Sequence, residues 1–167
     1  GSGLAVLMAA SGKPLALAAS RAEMMILPGP KQKSAGTPGA DAADLQYYLA
    51  LENVTAKGPA RDYKVFLDLP NDERMPLYLG VLATFGVEAC SDPEGAHGGS
   101  GLSQVFDVTA AIEELGAAAA DFGKLRLTFE PIEYGEVEIP PAEHPYADMI
   151  KQGPAELTIG RASLYAE

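Results

Sequence analysis

Four side chains in this 167-residue chain have metal-ligand chemistry in a familiar combination: His97, His144, the single cysteine Cys90, and Met149. A blue-copper site on a β-sandwich takes two His, one Cys and a weak axial Met. The inventory matches and the spacing does not. Such a site gathers the Cys, the second His and the Met in one short loop, whereas His144 lies far from Cys90. A weaker form of the idea is transient copper handling by exposed His97, His144 and Met149. Cys90 has no second cysteine for an internal disulfide, and a lone cysteine reads first as a small buried hydrophobe.

The stretch Gly95-Ala96-His97-Gly98-Gly99-Ser100-Gly101 has the glycine content of a phosphate cradle. A cradle needs a strand before it and a helix N-terminus after it, so that free amides meet the anion. Here an alternating, strand-like run follows, and no Lys-Ser/Thr pair does. The loop therefore reads as a turn that brings Val105, Phe106 and Val108 into a sheet, with glycines supplying positive φ. Ser100 lacks the strand–turn–helix context of a hydrolase nucleophile. Glu113-Glu114 and Glu136 with Glu138 read as solvated charge. With 12 basic and 23 acidic residues the net charge is −11, which disfavours nucleic acid and anionic membranes as partners. Residues 1–19 are apolar but lack a basic leader and are broken by Lys13-Pro14. They are expected to be neither a signal peptide nor a membrane span.

The elements that must position these residues are short strands. A 47 % hydrophobic content supports one core, and 18 glycines with 13 prolines favour strands joined by turns. Alternation predicts strands over 21–27, 46–54, 63–69, 104–108, 125–129 and 156–165. In the second of these, Tyr47, Leu49 and Leu51 share one face. The nearly continuous apolar run 77–85 predicts a strand covered on both sides. A short helix is expected over 110–115, with Asp107 or Thr109 as N-cap and Gly116 as its end. Residues 86–101 and 131–154 read as loops. The resulting fold class is all-β: an antiparallel, jelly-roll-like β-sandwich of about seven strands with one short helix. Residues 1–44 read as a linker arm with one possible strand, and 45–167 as the sandwich domain. Phe85, Tyr134 and Tyr146 fall at strand ends or in the proline-rich loop, either as packing at the sandwich ends or as plugs for a partner's cavity.

Four segments in order then carry a family likeness. Tyr47 to Val54, Asp62 to Asp68, His97 to Leu102 with Val105 to Thr109, and Leu157 to Tyr165 resemble the C-terminal domain of bacterial tyrosinase and polyphenol oxidase-like proteins. The second segment is similar to the Lys-Phe-Asp-Val motif of the plant enzymes but departs from it, since Asp62, Tyr63 and Lys64 replace the first three residues and Val65 alone matches. The arm Pro14-Leu15-Ala16-Leu17 is similar to the linker that precedes that domain. The likeness spans roughly residues 14–167. It implies a parent type-3 copper oxidase that turns phenols into catechols and quinones at a dicopper centre held by six histidines in a separate helical domain. The two histidines of this chain cannot supply that set. The likeness further implies a sandwich that packs over the tyrosinase-like catalytic domain, shields the copper entrance with a placeholder side chain and keeps the enzyme latent. Phe85 and Tyr134 are the placeholder candidates.

The expectation is thus a non-catalytic shielding or regulatory domain of a tyrosinase-like dicopper phenol oxidase. It has no catalytic residue, metal site or cofactor of its own, and copper belongs to the partner domain. The alternatives are a copper-delivery module using His97, His144 and Met149, and a sandwich that binds a small molecule or protein.

Overall fold

The computed structural model describes residues 5–28, 45–84, 87–94, 99–116, 124–133 and 155–167. In chain order they form β1 (Val6–Ala10), β2 (Leu15–Leu17), β3 (Ala22–Pro28), β4 (Tyr47–Ala56), β5 (Tyr63–Asp68), β6 (Leu77–Leu82), α1 (Val87–Ser91), β7 (Leu102–Asp107), α2 (Thr109–Leu115), β8 (Leu125–Pro131) and β9 (Leu157–Ala166). The strands pair antiparallel in the order β6-β5-β8-β3-β1-β9-β4-β7, with β2 also on β9. The fold is all-β, as its alternating apolar runs require.

The path bends into two layers. Strands β3, β8, β5 and β6 make one, and β1, β2, β9, β4 and β7 make the other. At one margin the layers join through backbone, by the short pairing of Ala9 with Pro28 and Ala10 with Leu27. At the other margin β6 and β7 are the two ends of the path, and a side chain joins them. The Gln104 amide nitrogen donates to Val81 O at 2.8 Å, and its oxygen accepts from Ala83 N at 3.2 Å. The sandwich is therefore nearly a closed barrel. Inward side chains of both layers fill it, with Tyr63, Phe129, Leu17, Ile26, Leu51, Leu127 and Ile159 fully buried. Leu49 and Leu51 face inward as alternation predicts.

Three expectations need correction. The linker arm expected over 1–44 contains, within its described residues 5–28, three paired strands. The first two were illegible because alanine-rich Val6–Ala10 and three-residue Leu15–Leu17 have weak strand propensity of their own; their partner β9, some 150 residues away in sequence, decides their conformation. They also raise the strand number from about seven to nine among the described residues. The strand expected over 77–85 ends at Leu82 and is not covered on both sides: Tyr78 is 57 % exposed, and its outward neighbour is the Phe66 ring, with centroids 5.5 Å apart. Finally, Val87–Ser91, read as loop, is one helical turn.

The expected helix is present as α2. Its N-cap residue is Val108, without a side-chain cap. Asp107 sits one residue earlier and accepts from the Thr109 hydroxyl at 2.7 Å and the Thr109 N–H at 3.0 Å. The Thr109 oxygen in turn accepts from Tyr47 N at 2.9 Å, which fastens the helix start to the start of β4. The hydroxyl, and then the N–H, of Thr109 hold the Asp107 carboxyl below its usual pKa.

Two glycines of the stretch before β7 have a steric reason. Gly99 and Gly101 have φ of +83° and +84°, and a Cβ on Gly101 would run into the carbonyl oxygen of Val54. Around that point β4 bulges between Leu51 and Val54, with Asn53 at φ 54°. A Cβ on Gly160 of the neighbouring strand would lie 2.7 Å from the Asn53 Cβ. The glycine at 160 and the bulge at 53 are two halves of one close approach.

Gly101→Ala is expected to lose about 2–4 kcal/mol of unfolding free energy, since it combines a forbidden φ with a backbone collision. Gly12→Ala, with no neighbour within 4 Å, is expected to stay within about 0.5 kcal/mol of the parent. Urea titration of both variants measures the contrast, and equal midpoints would remove the steric argument. Asp107→Ala is expected to cost about 0.5 kcal/mol or less at neutral pH, because its two bonds to Thr109 are solvent-exposed. Because the folded-state pKa is depressed, the carboxylate's contribution is complete above the ordinary Asp value and fades as pH falls through the depressed one. The difference between variant and parent should therefore shrink in acid, which thermal unfolding at several pH values checks.

Candidate functional site

The strands converge on one end of the barrel where β4, β6 and β8 finish and β5, β7 and β9 begin, as the pairings Ala56–Leu157, Tyr63–Leu82, Tyr63–Pro131 and Val54–Leu102 require. The centre of this end is the four-residue turn Pro59-Ala60-Arg61-Asp62. Asp62 Oδ1 accepts from the Thr84 N–H at 2.9 Å and lies 2.9 Å from the Thr84 hydroxyl. The same hydroxyl also has Ala60 O at 2.9 Å and Arg61 O at 3.3 Å, so one proton has three acceptors in reach. Asp62 O accepts from Ile132 N at 2.9 Å, and Pro59 O accepts from Ala155 N at 2.8 Å. Arg61 Nη1 donates to Ile132 O at 3.2 Å, while its Nε is buried without a hydrogen-bond partner among the described residues. Thr84 itself is buried, so its polar groups need these partners.

Beneath the turn, Tyr63 is fully buried and its phenol oxygen accepts from Ala19 N at 3.0 Å. Burial raises its pKa; the Ala19 N–H and the nearby Arg61 charge oppose that rise without cancelling it. Beside the turn lies an open cleft of about 880 Å³ lined by Thr55, Ala56, Lys57, Ser91, Asp92, Pro93, Gly99, Glu156 and Thr158. Its floor is set by Ser91, whose hydroxyl donates to Val87 O at 2.7 Å and accepts from Ala56 N at 2.9 Å. The first bond lies within α1, and the second holds α1 against the end of β4.

Phe85, Tyr134, His97, His144 and Met149 lie outside the described residues. Their described chain neighbours share a location, however. Thr84 precedes Phe85, Gly99 follows the stretch with His97, and Glu133 and Ala155 bound the stretch with Tyr134, His144 and Met149. Thr84, Ile132 and Ala155 are all bonded to the Pro59–Asp62 turn, and Gly99 lines the adjoining cleft. The sequence separates these positions widely; antiparallel pairing gathers their attachment points at one end.

The described part of the glycine loop leads into β7, so its amides do not crown a helix as a phosphate cradle requires. Cys90 is buried, and its carbonyl accepts from Gly101 N at 2.9 Å. Glu113 and Glu114 are exposed on α2. Among the described residues no cluster of three or more His, Cys, Asp or Glu could hold a metal ion. What sequence reading missed is the polar anchor: Asp62 and Thr84 lie 22 residues apart, and neither belongs to a motif that announces the pairing.

A family model described as a domain of unknown function (DUF7868) matches residues 5–167. No curated protein matches the chain.

Ser91→Ala is expected to leave the Ala56 N–H without its acceptor and to cost about 1–2 kcal/mol. Urea unfolding tests this, and an unchanged midpoint would show that the hydroxyl does not fasten α1 to β4.

Proposed function

The chain belongs to the DUF7868 family, a domain of unknown function, and we propose that it is the non-catalytic shielding domain of a tyrosinase-like dicopper phenol oxidase. In this role the barrel covers the entrance to the copper site of the catalytic domain. The observation that carries the reading is the common anchoring of Thr84 and Ile132 on Asp62. The chain continues from these points toward Phe85 and Tyr134, the two placeholder candidates.

The ordered likeness of four segments to the C-terminal domains of such oxidases supports the same reading. So does the histidine count: two in this chain against the six of a dicopper centre. Copper in this reading is held by the partner domain, and this chain supplies shape. A placeholder works by filling the pocket a phenol would enter, while the surrounding contact area supplies affinity. If lid and oxidase share one polypeptide, the high effective concentration makes a modest interface sufficient.

An oxidase domain encoded with this chain is expected to oxidise a small phenol at least about ten-fold faster once limited proteolysis separates the two, because the tether's effective concentration is then lost. Adding the purified chain back in excess should lower the rate, and Phe85→Ala or Tyr134→Ala should weaken that inhibition. Equal rates before and after separation would overturn the shielding role.

A further inference from the structure

Resting on the shielding reading, we propose that Asp62 is the positioning residue of the lid, coupling the segment that leads to Phe85 with the segment that leads to Tyr134. Three chain segments from both layers meet one four-residue turn, and they meet it in different ways. The Asp62 carboxylate takes the Thr84 N–H at the end of β6. The Asp62 carbonyl takes the Ile132 N–H at the end of β8, and the Pro59 carbonyl takes the Ala155 N–H ahead of β9. Arg61 reaches back across the turn to Ile132 O. The turn is therefore held between β6 and β8, the two neighbours of β5, since Tyr63, the residue after Asp62, pairs with both Leu82 and Pro131.

This arrangement makes the carboxylate a shared control point. Thr84 is buried with one hydroxyl proton and one amide proton directed at the turn. Removing the Asp62 acceptor leaves the amide without a partner, so the turn and Thr84 must separate or rearrange to find water. Either movement displaces the Asp62 and Pro59 carbonyls that hold Ile132 and Ala155. Loss of one side-chain acceptor is thus transmitted to Ile132 and Ala155, which are held by backbone carbonyls of the same turn.

The test is amide hydrogen exchange on the chain itself, comparing Asp62→Ala and Asp62→Asn with the parent. In Asp62→Ala the amides of Thr84, Ile132 and Ala155 are expected to exchange about ten-fold faster or more through local opening, while those of Val108 and Gly116 at the far end keep their rates. Asp62→Asn retains an oxygen acceptor and is expected to restore most of the protection. Acceleration confined to Thr84 would overturn the coupling, as would equal acceleration at both ends or an Asn variant as open as the Ala one. Should Asp62→Ala fail to fold, Thr84→Val serves instead: losing only the hydroxyl, it should accelerate Ile132 as well as Thr84, and an unchanged Ile132 would count against the coupling.

A second measurement separates this from the shielding role. In the intact oxidase, Asp62→Ala should raise phenol oxidation before proteolysis and leave the proteolysed rate unchanged. Coupled exchange in an oxidase whose rate does not respond to proteolysis would sink the shielding reading and leave the coupling standing. Latent oxidase activity without coupled exchange would do the reverse.

Discussion

Strands β4 and β9 pair along their whole length, from Tyr47 opposite Ala166 to Ala56 opposite Leu157, and the rest of the barrel is hung on that ladder. β9 receives β1 and β2 on its other side, and β4 receives β7. Both helices attach to β4, α2 through Thr109 at its start and α1 through Ser91 at its end. A one-residue slip would turn every inward leucine of one strand to the outside. The bulge at Asn53 fitted against Gly160 opposes such a slip, because displacement in either direction would bring a side chain where only a glycine fits. Register and steric exclusion are thus set at the same place.

The two margins of the sandwich are closed by different physics. Backbone pairing joins β1 to β3, whereas the Gln104 amide joins β7 to β6. That amide donates to Val81 O and accepts from Ala83 N, which is how the peptide groups of one residue in an adjacent strand would engage β6. It covers an edge whose sequence, Leu77-Tyr-Leu-Gly-Val-Leu82, contains neither charge nor proline, the usual protections of an exposed edge. Gly80 contributes by admitting the Phe106 ring, which would stand 3.1 Å from a Cβ at that position. Closure at this margin depends on two residues of β7 that face inward, which links the packing of the core to the protection of the edge.

Much of the fold was legible because its signal is local. Alternation at Tyr47–Leu51 and Tyr63–Leu69 places the inward residues correctly, and the short helix follows from the apolar spacing of Ile112 and Leu115. What was not legible depends on distant partners. Val6–Ala10 has the composition of a linker and becomes a strand because β9 and β3 offer open ladders. Val87–Ser91 has no cap and no room for a helical period, and turns because Ser91 bonds β4. The candidate site divides in the same way. Aromatic residues near strand ends were visible as candidates, but their common base at Asp62 was not, since a lone Asp before a strand reads as an ordinary turn residue.

The distribution of polar chemistry explains why an end of the barrel, and not its interior or faces, is the place to look for function. Asp68 is buried on the outside of β5 and is held by Arg126 at 2.9 Å, so its charge is spent on a cross-strand pair. Ser163 is buried and accepts from Arg161. Thr109, Ser91, Gln104 and Thr84 each bind backbone groups that the strands leave over. In each case a polar group is given a partner by another side chain or by the backbone, as burial demands. The Pro59–Asp62 turn belongs to this set but differs in one respect: the backbone it completes belongs to Thr84, Ile132 and Ala155, which lie just beyond β6 and β8 and ahead of β9. Elsewhere the polar groups hold strand to strand or helix to strand. At this end they gather Thr84, Ile132 and Ala155, far apart in sequence, on one turn, so the frame fixes these three points relative to one another.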